Sequence, residues 1–357
     1  QESDVYVICV GTPVDASGAP ELNALTGALA AVGHVLKPYD LVLLRSTVPG
    51  GSTRDAAIPF LEQQSGLAAG RNFFIAFAPE RTVEGKALEE LRTLPQIVGG
   101  YDRTSAELAG KFFNLLTPVI VPVQTLESAE LAKLLNNTYR DVRFSFANEV
   151  AQLCLALGVE ANDVIRAANH GYPRDPIPLP SPGVGGLCLS KDPYILHASA
   201  RQRGVHLKLP MAARSVNEGM IRHVCGRIEG FLASHGKRNA RIFAAGLAFK
   251  GMPETTDLRN STAVDIVRAL ASAHTMVLHD PLVPPRELEP FGAVVSFAEG
   301  FREADAALIL NTHPSYASFD VRALAADMSK PALFFDAWHL FGRLRASFPD
   351  GVRYETL

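Results

Sequence analysis

The chain has 357 residues, 47% of them hydrophobic and 20% charged, with a formal net charge of −3. That length suits two or three domains with substantial cores. The slight acidity argues against nucleic-acid or anionic-membrane partners, and no apolar run nears the ~20 residues that span a bilayer. The four cysteines, Cys9, Cys154, Cys188 and Cys225, are spaced too widely for a zinc site or a disulfide framework. No metal is therefore expected, and free thiols with no visible signal peptide point to a cytoplasmic protein.

Val5-Tyr6-Val7-Ile8-Cys9-Val10 is a continuous apolar run, the pattern of a parallel strand covered on both faces. Gly11-Thr12-Pro13 ends it, and such strand ends are where open α/β sheets take ligands. A helix is expected over 23–36, a strand over 41–46 that closes on Thr47-Val48-Pro49-Gly50-Gly51, and a helix over 53–64. Phe73, Ile75 and Phe77 alternate as in a strand leading to Ala78-Pro79-Glu80-Arg81. Two further strands are expected at 96–100 and 118–121, with a helix over 105–116 between them. Strands alternating with helices predict a parallel, doubly wound sheet. Leu131, Leu135, Tyr139, Val142, Phe146, Val150, Leu153 and Leu157 then recur at steps of three and four, predicting a helix of roughly thirty residues. Thr125 can cap its start and Gly158 fits its stop. Glu130, Lys133, Asn137 and Arg140 share another face of it. Helices are expected at 161–168, 192–204, 210–235 and 261–273, and strands at 241–246, 275–281, 306–310 and 332–336.

The stretch Pro182-Gly183-Val184-Gly185-Gly186-Leu187-Cys188-Leu189-Ser190-Lys191-Asp192 stands apart. Glycines let a ligand approach the backbone, a nearby lysine can activate a thiol, and an aspartate can orient water. Cys188 is the one cysteine in a glycine-lined, charged setting; Cys9 and Cys154 lie in apolar patterns and read as core.

In this order, Gly11-Thr12-Pro13, Ser46-Thr47-Val48-Pro49-Gly50, Ala78-Pro79-Glu80-Arg81-Thr82-Val83-Glu84-Gly85, the long-helix set with Asn148-Glu149, Gly185-Gly186-Leu187-Cys188 with Lys191-Asp192, and Gly246-Leu247-Ala248-Phe249-Lys250 resemble the UDP-glucose/GDP-mannose dehydrogenase family over nearly the whole chain. Tyr172-Pro173-Arg174 and Pro182-Gly183-Val184-Gly185-Gly186 are most similar to its UDP-N-acetylmannosamine and UDP-N-acetylglucosamine dehydrogenases. The resemblance implies two Rossmann-like, doubly wound α/β domains joined by a central helical domain: residues 1–124 for NAD, 125–235 with the cysteine loop, and 236–357 for the nucleotide sugar. It also implies NAD-dependent, four-electron oxidation of a sugar C6 alcohol to a uronic acid for bacterial polysaccharide, through a thiohemiacetal and thioester on cysteine. The rival expectations are UDP-glucose as substrate, or a nucleotide-sugar-binding protein that takes no cofactor. Catalysis then falls to Cys188 as nucleophile, with Lys133, Asn137, Asp192, Glu80 and Thr47. Cofactor contacts fall to Gly11, Thr12, Pro13, Ser46, Thr47, Glu84, Lys191 and Arg259. Substrate contacts fall to Glu80, Arg81, Lys133, Asn137, Arg140, Arg174, Gly183, Gly185 and Lys250. The family's opening Gly-x-Gly-x-x-Gly is not in this sequence, so a first βαβ unit of about 70 to 80 residues is expected before Gln1, and weak NAD binding without it. Trp338 and His339 follow Asp336 where many relatives carry an arginine, leaving Arg343 as the substitute. The length of the central helix predicts a homodimer.

Overall fold

The computed structural model describes residues 3–357. The chain divides into two compact units, residues 1–140 with 191–211, and residues 141–190 with 212–357.

In the first unit, β1 (Val5–Ile8), α1 (Asn23–Gly33), β2 (Leu41–Leu44), α2 (Ile58–Ser65), β3 (Phe74–Phe77), α3 (Ala87–Thr93), β4 (Gln96–Gly100), α4 (Arg103–Phe113) and β5 (Ile120–Val123) follow in turn. The sheet order is β1-β2-β3-β4-β5. β2 and β3 are buried on both faces. Val42, Leu44, Ile75 and Phe77 pack with Leu25, Leu29 and Leu61 of α1 and α2, while Leu41, Leu43, Ala76 and Val98 pack with Ala109 and Phe113 of α4. This two-sided apolar filling is what makes continuous hydrophobic strands.

The sheet is not wholly parallel, as the alternation of strands and helices had suggested. β3 and β4 pair antiparallel, Ala76 opposite Gly100 and Phe77 opposite Gly99. The chain leaves and re-enters at the same end, spanning 78–95 with only the short α3. Two glycines make the packing of β4 possible: a Cβ on Gly99 would lie 2.4 Å from the Thr125 carbonyl oxygen, and one on Gly100 would lie 2.4 Å from the Ala106 nitrogen. The strand expected over 5–10 ends at Ile8, so Cys9 is exposed rather than part of the core. β1 itself is only half-buried.

The long helix α5 (Leu126–Leu157) has the expected bounds, with the Thr125 hydroxyl accepting from the Ser128 N–H at 3.1 Å and Gly158 turning left-handed at φ +71°. It is followed by α6 (Ala161–Asn169), α7 (Asp192–Arg201) and α8 (Lys208–Ser234). Of these, α7 belongs to the first unit; the second also holds β6 (Arg241–Ala245), α9 (Thr262–Leu270), β7 (Thr275–His279), α10 (Pro285–Leu288), β8 (Ala293–Val294), α11 (Phe297–Gly300), β9 (Ala306–Ile309), α12 (Val321–Ala325), β10 (Ala332–Asp336) and β11 (Val352–Thr356). Its six strands are all parallel in the order β11-β10-β9-β6-β7-β8. The winding reverses at β6, which lies between β7 and β9; such a switch point opens a crevice at the carboxyl ends of the strands.

Candidate active site

At the switch point, Gly246 follows β6 with φ +89°, and a Cβ there would lie 2.5 Å from the Asn311 side chain. The turn it allows carries Phe249 and Lys250, whose ammonium lies 5.1 Å from the Phe249 ring centroid. Phe249 also meets the cysteine loop: a Cβ on Gly186 would lie 2.7 Å from that ring. Gly185 would place a Cβ 2.5 Å from the Asn260 carbonyl oxygen, and Gly183 one 2.8 Å from that of Asn217. These glycines are thus required by the protein's own close packing. The loop is pinned further by Asn148, whose Oδ1 accepts from the Ser181 N–H at 2.8 Å, and by the Gly186 N–H donating to the Asn260 carbonyl at 2.9 Å. Asn260 Nδ2 reaches Ser190 Oγ at 3.0 Å, and that hydroxyl donates to the Gly186 carbonyl at 2.7 Å. Cys188 is exposed at the end of this locked run.

Behind the loop lies a buried polar network, of which only Asn148 stood out in the sequence. Asp141 Oδ1 accepts from Arg214 Nη1 and Asn217 Nδ2, each at 2.8 Å, and Asn217 Oδ1 accepts from Asn148 Nδ2 at 2.9 Å. All four side chains are buried. Burial raises the Asp141 carboxyl above the usual range, against the pull of Arg214. The signal was present in the sequence as an aspartate and an asparagine, Asp141 and Asn148, seven residues apart on one face of α5.

In the first unit, α7 begins at Asp192, and its carboxylate is buried at the helix N-terminus, where negative charge is stabilised. Asn137 Nδ2 donates to its Oδ2 at 2.6 Å and Lys191 Nζ to its Oδ1 at 2.9 Å. Lys133 lies one turn before Asn137 on α5 and is half-buried. Asn137 and Asp192, expected in catalysis, are therefore brought together, with Lys191, expected at the cofactor, on the same carboxylate. Glu130, from the same helix face, does something else. Its carboxylate is buried and accepts from the Gly51 N–H at 2.5 Å, the Thr53 N–H at 2.8 Å and the Thr53 hydroxyl at 2.6 Å, fastening the loop that begins at Ser46.

The expected cofactor residues Thr12, Ser46 and Thr47 are buried just past the ends of β1 and β2. The Thr12 hydroxyl has no hydrogen-bond partner among the described residues, and Ser46 Oγ reaches only the Ile8 carbonyl, at 3.5 Å. Hydroxyls held with spare capacity at parallel strand ends fit the polar edge of a dinucleotide. Gly11 and Pro13 are exposed beside them, as is Glu84 further along. Glu80 accepts from Arg45 and from the Thr82 N–H, and Arg81 donates to the Pro95 carbonyl at 2.5 Å. Arg259 belongs to the second unit and is tied to Asp257 through Nε at 2.9 Å and Nη2 at 2.7 Å. Arg140 and Arg174 are exposed, the latter over the Tyr172 ring at 5.0 Å. Arg343 lines a small pocket of about 280 Å³ with Arg166 and His339.

The matching family models and relatives make this chain an NAD-dependent dehydrogenase of nucleotide sugars. Residues 1–117 match the UDP-glucose/GDP-mannose dehydrogenase family's NAD-binding domain, 127–219 its central domain and 244–343 its UDP-binding domain. The chain is 35% identical over 329 residues to a UDP-N-acetyl-D-mannosamine dehydrogenase of Pyrococcus horikoshii, covering 91% of this chain and 75% of that one. It is 33% identical over 288 residues to a UDP-N-acetyl-D-glucosamine 6-dehydrogenase of Pseudomonas aeruginosa, covering 79% and 67%. The solved UDP-D-ManNAc dehydrogenase from P. horikoshii superimposes with a TM-score of 0.87 at 32% identity, covering 99% of this chain and 81% of that one. A UDP-glucose dehydrogenase from Pyrobaculum islandicum gives 0.83 at 25% identity, covering 99% and 79%. The chain belongs to the UDP-glucose/GDP-mannose dehydrogenase family.

Proposed function

We propose that the protein oxidises C6 of a UDP-N-acetylhexosamine, UDP-N-acetylmannosamine or UDP-N-acetylglucosamine, to the uronic acid in two NAD-dependent steps. The observation that carries this reading is Cys188, exposed at the end of a rigid glycine loop in a chain whose relatives are dehydrogenases of those two sugars. NAD, when bound, accepts a hydride in each step. The chain's own groups do the rest. Lys133 offsets negative charge on the substrate oxygen as the alcohol is oxidised. The Cys188 thiolate adds to the aldehyde carbon, and loss of a second hydride leaves a thioester on its sulfur. Water, oriented by Asp192 with Asn137 and by Thr47, and deprotonated with help from Glu80, then releases the acid and restores the thiol. Gly11, Thr12, Pro13, Ser46, Thr47, Glu84 and Lys191 are assigned to the dinucleotide, and Arg81, Arg140, Arg174, Gly183, Gly185 and Lys250 to the sugar nucleotide. Arg259 is assigned to a diphosphate.

The three-domain division at residues 124 and 235 belongs to the same proposal, as do a cytoplasmic location and a role in polysaccharide synthesis. So does a homodimer: Leu135, Tyr139, Phe146 and Leu153 each expose more than half their surface at four- and seven-residue spacing on α5, the spacing of a helix seam.

The test supplies UDP-N-acetylmannosamine, UDP-N-acetylglucosamine and UDP-glucose separately with NAD to the full-length protein and counts NADH per sugar consumed. Two per N-acetylhexosamine is the expected result. Two per UDP-glucose alone would replace the substrate, one per sugar would remove Cys188 from its role, and sugar binding without turnover would leave a binding protein.

A further inference from the structure

The ends of three strands meet at one side chain. Arg45 directly follows β2 and is buried. Its Nη1 donates to Gln96 Oε1 at 3.0 Å, its Nη2 donates to Glu80 Oε2, and its guanidinium lies 4.8 Å from the Phe113 ring centroid. Gln96 opens β4, and the antiparallel pairing of β3 with β4 brings it beside Pro79 and Glu80, which leave β3. The Gln96 amide is fully committed. Its Nε2 donates to the Pro79 carbonyl at 3.1 Å and the Ile97 carbonyl at 2.8 Å, which fixes its oxygen toward Arg45. The other Glu80 oxygen accepts from the Thr82 N–H at 2.8 Å. Both oxygens of Glu80 are thus held, yet 38% of its side chain stays accessible.

A fork-shaped cation seated this firmly defines a carboxylate's direction as well as its charge. Among the described residues, the charged and titratable groups acting on Glu80 are Arg45, from the end of β2, and Cys9, from the end of β1. Gln96 on β4 and Phe113 on α4 are neutral, and Arg81 is turned to Pro95. Burial alone would lift the Glu80 carboxyl; the Arg45 hydrogen bond, the Thr82 N–H and the Arg45 charge outweigh it and hold the group below the usual carboxylate range.

We infer that Arg45 is a positioning residue for the reaction proposed above, holding the Glu80 carboxylate in one orientation for its part in the hydrolytic half. In that half, water gives a proton to Glu80 as its oxygen bonds to the thioester carbon. The carbon–sulfur bond then breaks, with its electron pair returning to Cys188. The inference rests on that reaction and on the part of Glu80 in it.

The experiment begins with the unsubstituted full-length protein. Two NADH per sugar establishes the underlying reaction; any other count overturns that reaction and this inference with it. With that count in hand, Arg45→Met should lower kcat about a hundredfold, with KM for NAD and sugar within about twofold. A uronyl adduct on Cys188 should accumulate in intact-protein mass spectra. The acid limb of the kcat profile should move to higher pH. Arg45→Lys, which keeps the charge and loses the fork, should leave that limb in place and recover part of the rate. Adding Arg45→Met to Glu80→Gln should cost nothing further. An unmoved acid limb without adduct in Arg45→Met, or full additivity in the double variant, overturns the inference while the reaction stands. If Arg45→Met does not fold, Gln96→Leu serves: adduct accumulation supports the inference, and unchanged kinetics overturns it.

Discussion

Two loops, one in each unit, are held by opposite means. The loop from Ser46 to Thr53 is fastened by a carboxylate, Glu130, which takes three donors from Gly51 and Thr53. The loop from Ser181 to Ser190 is fastened by amides and close-packed glycines, with its charged pair, Asp141 and Arg214, set behind it. The first is thus held by a single buried carboxylate, the second by close packing and amide hydrogen bonds.

The contrast can be broken or sharpened by substitution. The largest effect belongs to the rigid loop's cargo: Cys188→Ala should cut acid formation by at least ~10³-fold in an NADH assay, while the melting temperature barely moves. Arg214→Met strands Asp141 in the interior and should cost about 3–5 kcal/mol in denaturant unfolding, with loss of activity following loss of fold. Glu130→Ala leaves the Gly51 and Thr53 donors without acceptor and should cost about 1–3 kcal/mol, whereas Glu130→Gln keeps an acceptor and should cost less.

A finer effect concerns pH. Burial raises the Glu130 carboxyl despite its three donors, so it binds its proton more readily folded than unfolded, and its contribution to stability grows as pH falls. Glu80 has the opposite sign: depressed by Arg45, its contribution is present above the ordinary carboxylate range and is lost as pH falls through its lower folded value. Glu130→Gln removes the first contribution and leaves the second. Its stability should therefore fall more steeply on acidification than that of the parent, and a parallel pH-dependence would show that Glu130 does not titrate in this way. The smallest signal is chemical. Cys225 is pushed up to about 11 by burial and Cys154 is buried, so a thiol reagent at pH 8 should label Cys188 well before either.

Much of this arrangement was legible in the sequence because it rests on periodicity and punctuation. The apolar steps of α5, its Thr125 cap and its Gly158 stop fixed a helix of 32 residues almost to the residue. The order of motifs named the family. What escaped was either too short or too dependent on partners. α3 buries no side chain and shows no apolar stripe, and β8 is two residues long. β11 alternates over five residues but reads weakly beside charged Arg353 and Glu355. The helix expected from Thr53 opens instead as a π-helical segment, Thr53–Ala57. Glu130 itself carries the same letter whether it faces solvent, substrate or a buried loop, and only the fold tells which. The same holds for Arg45, whose meaning depends on Gln96, fifty-one positions away.

The six-stranded sheet has one further consequence, for the behaviour of the protein in concentrated solution. One of its borders is β8, which offers a ladder of only two residues. The other is β11, where Arg353 and Glu355 alternate with buried Val352, Tyr354 and Thr356 and pair with each other at 2.7 Å. A bare apolar border would template the strands of neighbouring molecules; a truncated one and a charged one do not. The parallel sheet that builds the switch point is thereby closed to growth, which favours recovery of soluble protein when that sheet is exposed during synthesis or after heating.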